Sequence, residues 1–403
     1  MLPISCLRAR DFCYICNVIE RELNIAVVGA GNRARKYLSC LPGNVRLRCI
    51  VEPDPLRLSL AAKHHGVPES GCYSSPEAFF AAYHKLDAVI IAAPDREHVA
   101  LALEAVRHGW HVLLEKPAAT CAEDYEKLLK AAEAAGVHIG LCLEMRHHPY
   151  FHRIYELVKE GAVGEVLEID HTEHIGPDRM AHSFVRGPWV KKAETGPVFL
   201  SKCCHDADFL LWLTGGSVEE VRSSGALLKF RPGNTRTPLR CIDCTIPDCP
   251  YSAVNLYRER REWVAGFDVP DGGTLEDVID EELRSGRYGR CVYHCDNDVF
   301  DTQDVLARLS NGISLNLHLE GTSMEEGRTT IITGTRGKLV AENWKIGLGD
   351  VWEDYSHLAT LPLHAGADAA LVRDFFSAVS EGREPGCSLA SALEGHKLCF
   401  LAG

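Results

Sequence analysis

The fold is decided by the stretch Leu23-Asn-Ile-Ala-Val-Val28, followed at once by Gly29-Ala-Gly31-Asn-Arg-Ala34. The first six residues form a short apolar run rich in β-branched side chains, which predicts a strand, and a helix-like stretch follows the glycines. Gly29 permits a tight turn, Gly31 lets the backbone approach a pyrophosphate, and Ala34 allows the helix to pack closely on the strand. The helix N-terminus would also offer N–H groups to phosphates. We therefore expect four residues of this turn to bind a dinucleotide: Gly29, Gly31, Asn32 and Arg33.

A second apolar strand, Leu47–Val51, ends in Glu52 about twenty residues after the glycines. An acid at that place can bind both ribose hydroxyls and repels the extra phosphate of NADP, so Glu52 favours NAD. Asp54 and Arg57 lie close enough in the chain to weaken that preference. The plain alternative is that Glu52 is a solvated strand end.

Strands and helices then alternate as far as Cys142, which predicts a parallel, doubly wound sheet over residues 23–145. Such sheets bind ligands beyond the carboxyl ends of their strands. Those ends carry Pro94 with His98, the tripeptide Glu115-Lys116-Pro117, and the run from Glu144 to Arg146. We expect Pro94, His98, Glu115 and Lys116 to line the cofactor site.

Lys116 stands between a predicted buried strand and a proline, which holds it in extended geometry at the mouth of this crevice. Partial desolvation there is expected to lower the pKa of the ammonium group toward acid–base use. The alternative is a surface lysine at a strand end.

Composition limits the class of protein. The 403 residues are 46% hydrophobic and 25% charged, and 56 acidic against 43 basic side chains give a net charge of −13. That negative charge disfavours nucleic acid and anionic membranes as partners. The sequence contains no unbroken run of about eighteen apolar residues, so it predicts no transmembrane helix. Seventeen scattered cysteines, an odd number, fit free thiols in a reducing cytosol. Residues 1–22 are predicted to be an extension outside the fold, because Arg8, Arg10 and Asp11 interrupt any signal-peptide core.

Together these motifs resemble the glucose-fructose oxidoreductase / inositol dehydrogenase / MocA family, and the resemblance runs from Leu23 to the C-terminus. The matching order is Gly29-x-Gly31, Glu52, Pro94-x-x-x-His98, Gly109-x-His-Val-x-x-Glu115-Lys116-Pro117, Gly161-x-x-Gly164-Glu165 and Gly334-Thr-x-Gly337.

The resemblance implies an α/β Rossmann domain, then an α+β domain over residues 146–403 with a large open, mainly antiparallel sheet, a substrate pocket between them, and a homo-oligomer (dimer or tetramer). It also implies two catalytic residues, Lys116 and a histidine that maps to His205. The family usually has an aspartate four residues before that histidine, where this chain has Ser201 beside Lys202. Asp206 or Asp208 is a candidate to replace that carboxylate. A core histidine is the alternative for His205.

The second half contains stretches that alternate with a period of two, such as Glu165–Thr172 and Ile313–Glu320. They predict a sheet with one buried and one wetted face, and we expect the wetted face to form the pocket floor. The segment Met180–Trp189 offers an aromatic ring and a guanidinium for a sugar, although an ordinary loop fits equally well. The candidate substrate contacts are Arg146, His174, Arg186, Trp189, Lys202 and Asp206.

The spacing Cys241-x2-Cys244-x4-Cys249 lies in an expected insertion around residues 231–300. Such a cluster suits a tetrahedral soft-ligand site, for which structural zinc is the simplest ion. Cys291, His294 and Cys295 are the choices for a fourth ligand, and we favour Cys295. Unligated thiols, an iron–sulfur centre or a redox disulfide remain the alternatives.

These features predict an NAD-dependent oxidoreductase that takes hydride from a secondary hydroxyl of a sugar, glycoside or cyclic polyol, with Lys116 and His205 managing the hydroxyl proton. Members of the resembled family suggest an alternative, a glycoside hydrolase that retains its NAD and works by transient C3 oxidation, elimination, hydration and re-reduction. A nucleotide-binding protein without catalytic activity is the third hypothesis.

Overall fold

The computed structural model describes residues 21–82, 84–233 and 236–403. All but the last two residues of the predicted 1–22 extension lie outside the described residues. Within the described ranges, no helix combines the length and the apolar character that a membrane crossing requires.

The first half of the chain is built on a six-stranded parallel sheet, as the alternating pattern predicted. Its spatial order is β3-β2-β1-β4-β5-β6, so the strand order reverses beside β1. The strands are β1 (Leu23–Val28), β2 (Val45–Val51), β3 (Cys72–Tyr73), β4 (Ala88–Ile91), β5 (His111–Leu114) and β6 (Ile139–Leu141). The glycine turn after β1 therefore opens at the place where such sheets bind ligands.

Helices cover both faces of this sheet and one face of a second sheet. The first seven are α1 (Asn32–Leu38), α2 (Pro55–His65), α3 (Pro76–Ala81), α4 (His98–Arg107), α5 (Ala122–Ala135), α6 (Pro149–Lys159) and α7 (Pro177–Arg179). The next seven are α8 (Lys192–Thr195), α9 (Val198–Thr214), α10 (Ala253–Glu259), α11 (Leu275–Arg284), α12 (Pro362–Ala365), α13 (Ala367–Glu381) and α14 (Leu393–Ala402).

The second sheet has eight strands in the order β14-β13-β12-β11-β7-β10-β9-β8. They are β7 (Val166–His174), β8 (Val218–Ala226), β9 (Thr302–Leu309), β10 (Ser314–Glu320), β11 (Gly327–Gly334), β12 (Gly337–Glu342), β13 (Lys345–Leu348) and β14 (Val351–Asp354). Only the β7–β10 pair is parallel, so the sheet is mainly antiparallel, as the family resemblance implied.

The last part of the chain ties the two halves together. Phe375 and Phe376 of α13 are buried in the same apolar core as Ile25 and Val27 of β1. Helix α14 packs along α9. The nucleotide half is thus completed by residues from the far end of the chain.

The two faces of β7 differ in a way that corrects one expectation. Ile169, His171 and Glu173 are buried beneath α9, whereas Asp170 and His174 lie on the opposite, more open face. The polar side chains that reach α9 thus come from the covered face of β7, and not from the wetted face that was expected to form the pocket floor. Alternation along a strand shows that two faces exist but not which of them a helix will cover.

A long connection joins the adjacent antiparallel strands β8 and β9, and we call its residues, 227–301, the insertion. Helices α10 and α11 lie within it and share a small apolar core that includes Leu256, Tyr257 and Ile279. At its base the buried carboxylate of Asp301 accepts hydrogen bonds from the backbone N–H groups of residues 228–230. The start and end of the insertion are thereby held together.

We expect Asp301→Asn to loosen this base. The substitution places an amide N–H₂ against backbone donors, so it should lower the free energy of unfolding by about 1–3 kcal/mol. Denaturant unfolding measures the loss. Asp304→Asn is the matched control, because Asp304 is an exposed residue of β9 that pairs only with His318 in the described structure. Equal stability of the two variants would contradict the anchoring role of Asp301.

Candidate active site

The turn after β1 requires glycine at one position and leaves space at another. Gly29 has φ +87°, and a Cβ there would lie 2.5 Å from the carbonyl oxygen of Ala92. A Cβ on Gly31 would meet nothing within 4 Å. Gly31 precedes α1, so the open space lies at a helix N-terminus, which suits a phosphate group.

Glu52 follows β2 and is 4% exposed. Its carboxylate accepts hydrogen bonds from the backbone N–H groups of Ala30 (2.9 Å) and Asp54 (3.0 Å). The Arg57 guanidinium lies 3.4 Å away. Glu52 is therefore fixed beside the glycine turn rather than free in solvent.

Arg33, on the first turn of α1, links the glycine turn to the Glu-Lys-Pro segment. Its Nε donates to Glu115 at 2.7 Å, and its terminal nitrogen donates to Asp368 of α13 at 2.9 Å. Burial would raise the pKa of the Glu115 carboxyl, but the Arg33 and Lys116 charges outweigh burial and hold that pKa below its ordinary value. Arg33 thus secures an ionised carboxylate next to Lys116.

Lys116 reaches across from the nucleotide half to α9. Its Nζ donates to the backbone carbonyl of Ser201 at 2.7 Å and lies 5.6 Å from the centre of the Trp189 ring. The Trp189 indole in turn donates to Asp95 at 2.9 Å. The structure therefore brings two predicted site residues, Lys116 and Trp189, to one place.

The expected lowering of the Lys116 pKa was wrong. Burial does lower it, but nearby acidic groups (Cys204, Glu115, Asp95 and Glu144) raise it by more, so the pKa of Lys116 lies above its ordinary value. The ammonium group consequently stays charged at neutral pH. A single strand end could not reveal this result, because the acidic groups come from several parts of the chain.

His205 stands one helical turn after Ser201, on the same face of α9 as the carbonyl that binds Lys116. Its Nδ1 lies 3.3 Å from the carboxylate of Glu144. Burial lowers the pKa of the His205 imidazole to about 4, although Glu144 opposes that shift. His205 is therefore neutral at pH 7.

Glu144, rather than Asp206 or Asp208, is the carboxylate that faces His205. Asp208 accepts hydrogen bonds from Nη2 and Nε of Arg146, at 2.6 and 2.8 Å. Asp206 is fully buried and binds His171 at 3.1 Å and Arg328. The expectation that Asp206 or Asp208 replaces the family's aspartate was wrong, because other cations occupy both side chains.

Lys202 lies at the edge of a buried charge network beside His205. Its Nζ is 2.5 Å from Glu173, and Arg328 lies 2.9 Å from the same carboxylate. Burial would raise the pKa of Asp206, but Arg328 and His171 hold it well below its ordinary value. The network places ionised and hydrogen-bonding groups along the covered face of β7 and β11.

Other predicted contacts lie elsewhere. His98 is fully buried, with its ring nitrogens 2.7 Å from the Pro117 carbonyl and 2.9 Å from the Ala93 carbonyl, so it fixes the loop that follows Pro94. His174 pairs with Glu320 and Thr329 on the outer face of the sheet. Arg146 and Arg186 are buried in networks of their own. His98 therefore supports the segment that carries Lys116, whereas His174, Arg146 and Arg186 have their contacts in other parts of the structure.

Sequence analysis missed two residues of the site. His364, just before α13, has its Nδ1 3.6 Å from Glu144 and 3.0 Å from Asp368. Arg328 comes from β11. Neither belongs to a local motif, so their role depends on the tertiary fold alone. Glu144 did carry a signal, since it follows a parallel strand at the edge where ligands bind.

The insertion also reaches the nucleotide turn. Asp268 binds the guanidinium groups of Arg35 in α1 and Arg57 in α2, the latter at 2.9 Å. A Cβ on Gly266 would lie 3.7 Å from Cβ of Asn32. The insertion therefore packs beside the glycine turn, next to Glu52.

Four cysteines line one cavity of the insertion: Cys241, Cys244, Cys249 and Cys291. Cys295, the favoured fourth ligand, does not line it; its sulfur donates to the Cys291 carbonyl at 3.4 Å. Within the described ranges, no three His, Cys, Asp or Glu side chains are grouped so that they could hold an ion as they stand. The zinc site stays a prediction.

Comparison with known proteins agrees with this architecture. The family profile described as "Oxidoreductase family, NAD-binding Rossmann fold" matches residues 23–141, and that of the "GFO/IDH/MocA C-terminal domain" matches residues 151–340. The chain belongs to the GFO/IDH/MocA oxidoreductase family. It is thus an NAD-binding oxidoreductase, as the motifs predicted.

Two relatives and one solved structure illustrate the range of this family. The chain is 26% identical to the inositol 2-dehydrogenase of Corynebacterium glutamicum over 50% of its own length and 57% of that enzyme. It is 30% identical to a glycosyl hydrolase family 109 protein of Saccharopolyspora erythraea over 41% of its length and 38% of that protein. An oxidoreductase from Agrobacterium radiobacter, solved with NAD+, L-tartaric acid and magnesium, shares the fold (TM-score 0.68, 16% identity, 95% of this chain and 97% of that one).

The neutral His205 generates a prediction about pH. We expect kcat/KM to stay level from neutral pH down to about pH 5 and to fall as pH drops through about 4, where His205 takes up a proton. An unperturbed histidine would begin this loss near pH 6.5. His205→Asn should lower kcat by about 10²–10⁴-fold. An acid limb centred near pH 6.5 would contradict the burial effect.

The contact of the insertion with α1 and α2 generates a prediction about dinucleotide binding. Asp268→Asn should weaken NAD binding about 5-fold and narrow the preference over NADP, because it releases Arg35 and Arg57. Calorimetric titration with both dinucleotides measures the change. Asp271→Asn is the control, because Asp271 is 89% exposed and lies 3.7 Å from Lys63. Identical affinities in the two variants would oppose this role.

Proposed function

We propose that this family member is an NAD-dependent dehydrogenase for a secondary hydroxyl of a cyclic polyol, sugar or glycoside. The observation that carries the proposal is that the pKa values of two neighbouring basic side chains, Lys116 and His205, are shifted in opposite directions. The pKa of Lys116 lies above its ordinary value, whereas the pKa of His205 is lowered to about 4. Two groups whose pKa values are driven apart are suited to complementary acid and base roles.

The described residues fit the dinucleotide. The open space at Gly31 and the first turn of α1 would receive the pyrophosphate, and Glu52 would bind the ribose hydroxyls. Beside the expected ribose site, the Arg57 guanidinium is paired with the carboxylates of Glu52 and Asp268. This pairing favours NAD, because Arg57 is then not free to bind the additional phosphate of NADP. Bound NAD supplies the hydride acceptor at its nicotinamide ring.

His205 acts as the base in this proposal. The Glu144 carboxylate lies 3.3 Å from Nδ1, where it would hold the ring so that Nε2 accepts the hydroxyl proton of the substrate. The charged Lys116 then stabilises the negative charge that develops on the substrate oxygen. Loss of hydride from the carbon becomes easier as that oxygen approaches an alkoxide. The carbonyl of Ser201 holds Lys116 in place.

The surroundings suit a polyhydroxylated substrate. Trp189 presents a ring beside Lys116, and such rings pack on the apolar face of a sugar or cyclitol. Lys202, Arg328 and Glu173 form a network of charged hydrogen-bonding groups beside His205. The similarity to an inositol 2-dehydrogenase supports this substrate class.

A redox-neutral glycoside hydrolase is the second candidate. The 30% identity to a glycosyl hydrolase family 109 protein favours it, and so does the packing of the insertion against α1 and α2, which suits a dinucleotide that stays bound. In this reaction, oxidation at C3 acidifies the proton at C2, elimination expels the aglycone, water adds, and the ketone is reduced again. Lys116 and His205 would serve the same oxidation step.

One experiment distinguishes the two. The purified protein is incubated with NAD and a panel of inositols, free sugars and glycosides, while NADH absorbance and product NMR spectra are followed together. The dehydrogenase predicts NADH and a ketone product, and Lys116→Met should lower kcat at least about 100-fold while NAD affinity changes little. NAD-dependent release of aglycone without net NADH would instead establish the hydrolase. NAD binding without turnover of any panel member would overturn both.

A further inference from the structure

The insertion contains four thiols around one cavity although they come from two separate parts of its sequence. Cys241, Cys244 and Cys249 belong to the segment before α10, and Cys291 follows α11. The backbone bridge between residues 240 and 290 brings these two segments side by side. Convergence of four cysteines on one cavity is the donor set that a tetrahedral soft-metal site requires.

A second observation concerns charge. Arg186 is 2% exposed, and no carboxylate in the described part of the chain pairs with it. Its guanidinium donates to the carbonyls of Arg290 (2.6 Å) and Tyr251 (2.5 Å), and it also contacts the Tyr257 side chain and, at 3.4 Å, the sulfur of Cys241. A buried cation without a counter-ion is costly, so an anionic group is expected beside it.

A metal bound by four thiolates supplies that anion. A divalent ion with four thiolate ligands carries a net charge of about −2, and N–H donors to ligating sulfurs are the usual surroundings of such sites. Arg186 already donates to one of the four sulfurs. We propose that the insertion binds one divalent zinc-type ion through Cys241, Cys244, Cys249 and Cys291, with the Arg186 guanidinium compensating its charge.

Binding requires the sulfurs to turn toward one another, because no three of them are grouped around a single point in the structure. The contacts that hold them now are weak. Cys241 lies 3.7 Å from the Arg290 carbonyl, and Cys291 lies 3.6 Å from the Thr237 hydroxyl. Thiols are poor hydrogen-bond donors, so these contacts oppose rotation of the side chains only slightly.

The ion would stabilise a module whose own core is small. Among the described residues of the insertion, its own apolar cluster contains eight buried residues, two of which are Cys241 and Cys291 themselves. Cores of this size seldom hold a fold without a disulfide or a metal. The site is closed by four protein ligands, so its role is structural and independent of the reaction at Lys116.

The test measures metal content in the full-length protein, purified from zinc-supplemented cells without chelators. Elemental analysis should find about one zinc ion per chain. Cys291→Ser should lower the content below about a tenth of that, while the matched control Cys295→Ser, four residues further on and also buried, should retain it. Arg186→Gln should keep the ligands but weaken zinc retention about 10–100-fold in competition with a chelator.

A measurement on the unaltered chain covers the case in which Cys291→Ser fails to fold. Thiol alkylation followed by mass spectrometry should label Cys241, Cys244, Cys249 and Cys291 only after a chelator removes the ion. Wild-type protein without bound metal, labelling unaffected by the chelator, or protection of Cys295 in place of Cys291 would overturn the proposal. None of these readouts uses NAD or a substrate, so their outcome is separate from that of the proposed function.

Discussion

The bond from the Lys116 ammonium to the Ser201 carbonyl is the link on which the active site depends. It joins the end of a strand in the parallel sheet to the first turns of α9, which carries His205 one turn later. The side chains of Lys116 and His205 therefore have fixed relative positions, although they belong to different halves of the chain. Any shift of α9 against the parallel sheet would break this bond and separate them.

The electrostatic character of the site follows from this closeness. Burial alone would lower the pKa of both bases, and it does so for His205. Lys116 differs because carboxylates surround it, and Arg33 keeps one of them, Glu115, ionised. Asp368, from the far end of the chain, in turn binds Arg33. Helix α13, which completes the nucleotide core, thus also influences the charge around Lys116.

The local parts of the fold could be predicted from the sequence, because the signals for strand, glycine turn and helix start all lie within twelve consecutive residues, Leu23 to Ala34. Lys116 was indicated by its place between a strand end and a proline, and the resemblance to a family added His205. The partner of His205 could not be assigned in this way, since Arg146 and His171 occupy the aspartates nearest in sequence and leave Glu144 to face the ring. The sign of the Lys116 pKa shift and the covered face of β7 were missed for the same reason: both depend on groups that are distant in sequence.

The base of the insertion has a consequence for how the protein can change over evolution. The Asp301 carboxylate holds both ends of the insertion together, between two strands that are already hydrogen-bonded neighbours. When the ends of a loop are fixed so closely, each doubling of its length costs only about 0.6 kcal/mol in closure entropy. A lineage can therefore acquire, enlarge or discard a whole subdomain here while the register of the sheet stays the same. Because the insertion packs beside the nucleotide turn, a change of this one connection between β8 and β9 can alter the residues next to the turn. The parallel sheet of the nucleotide half need not change.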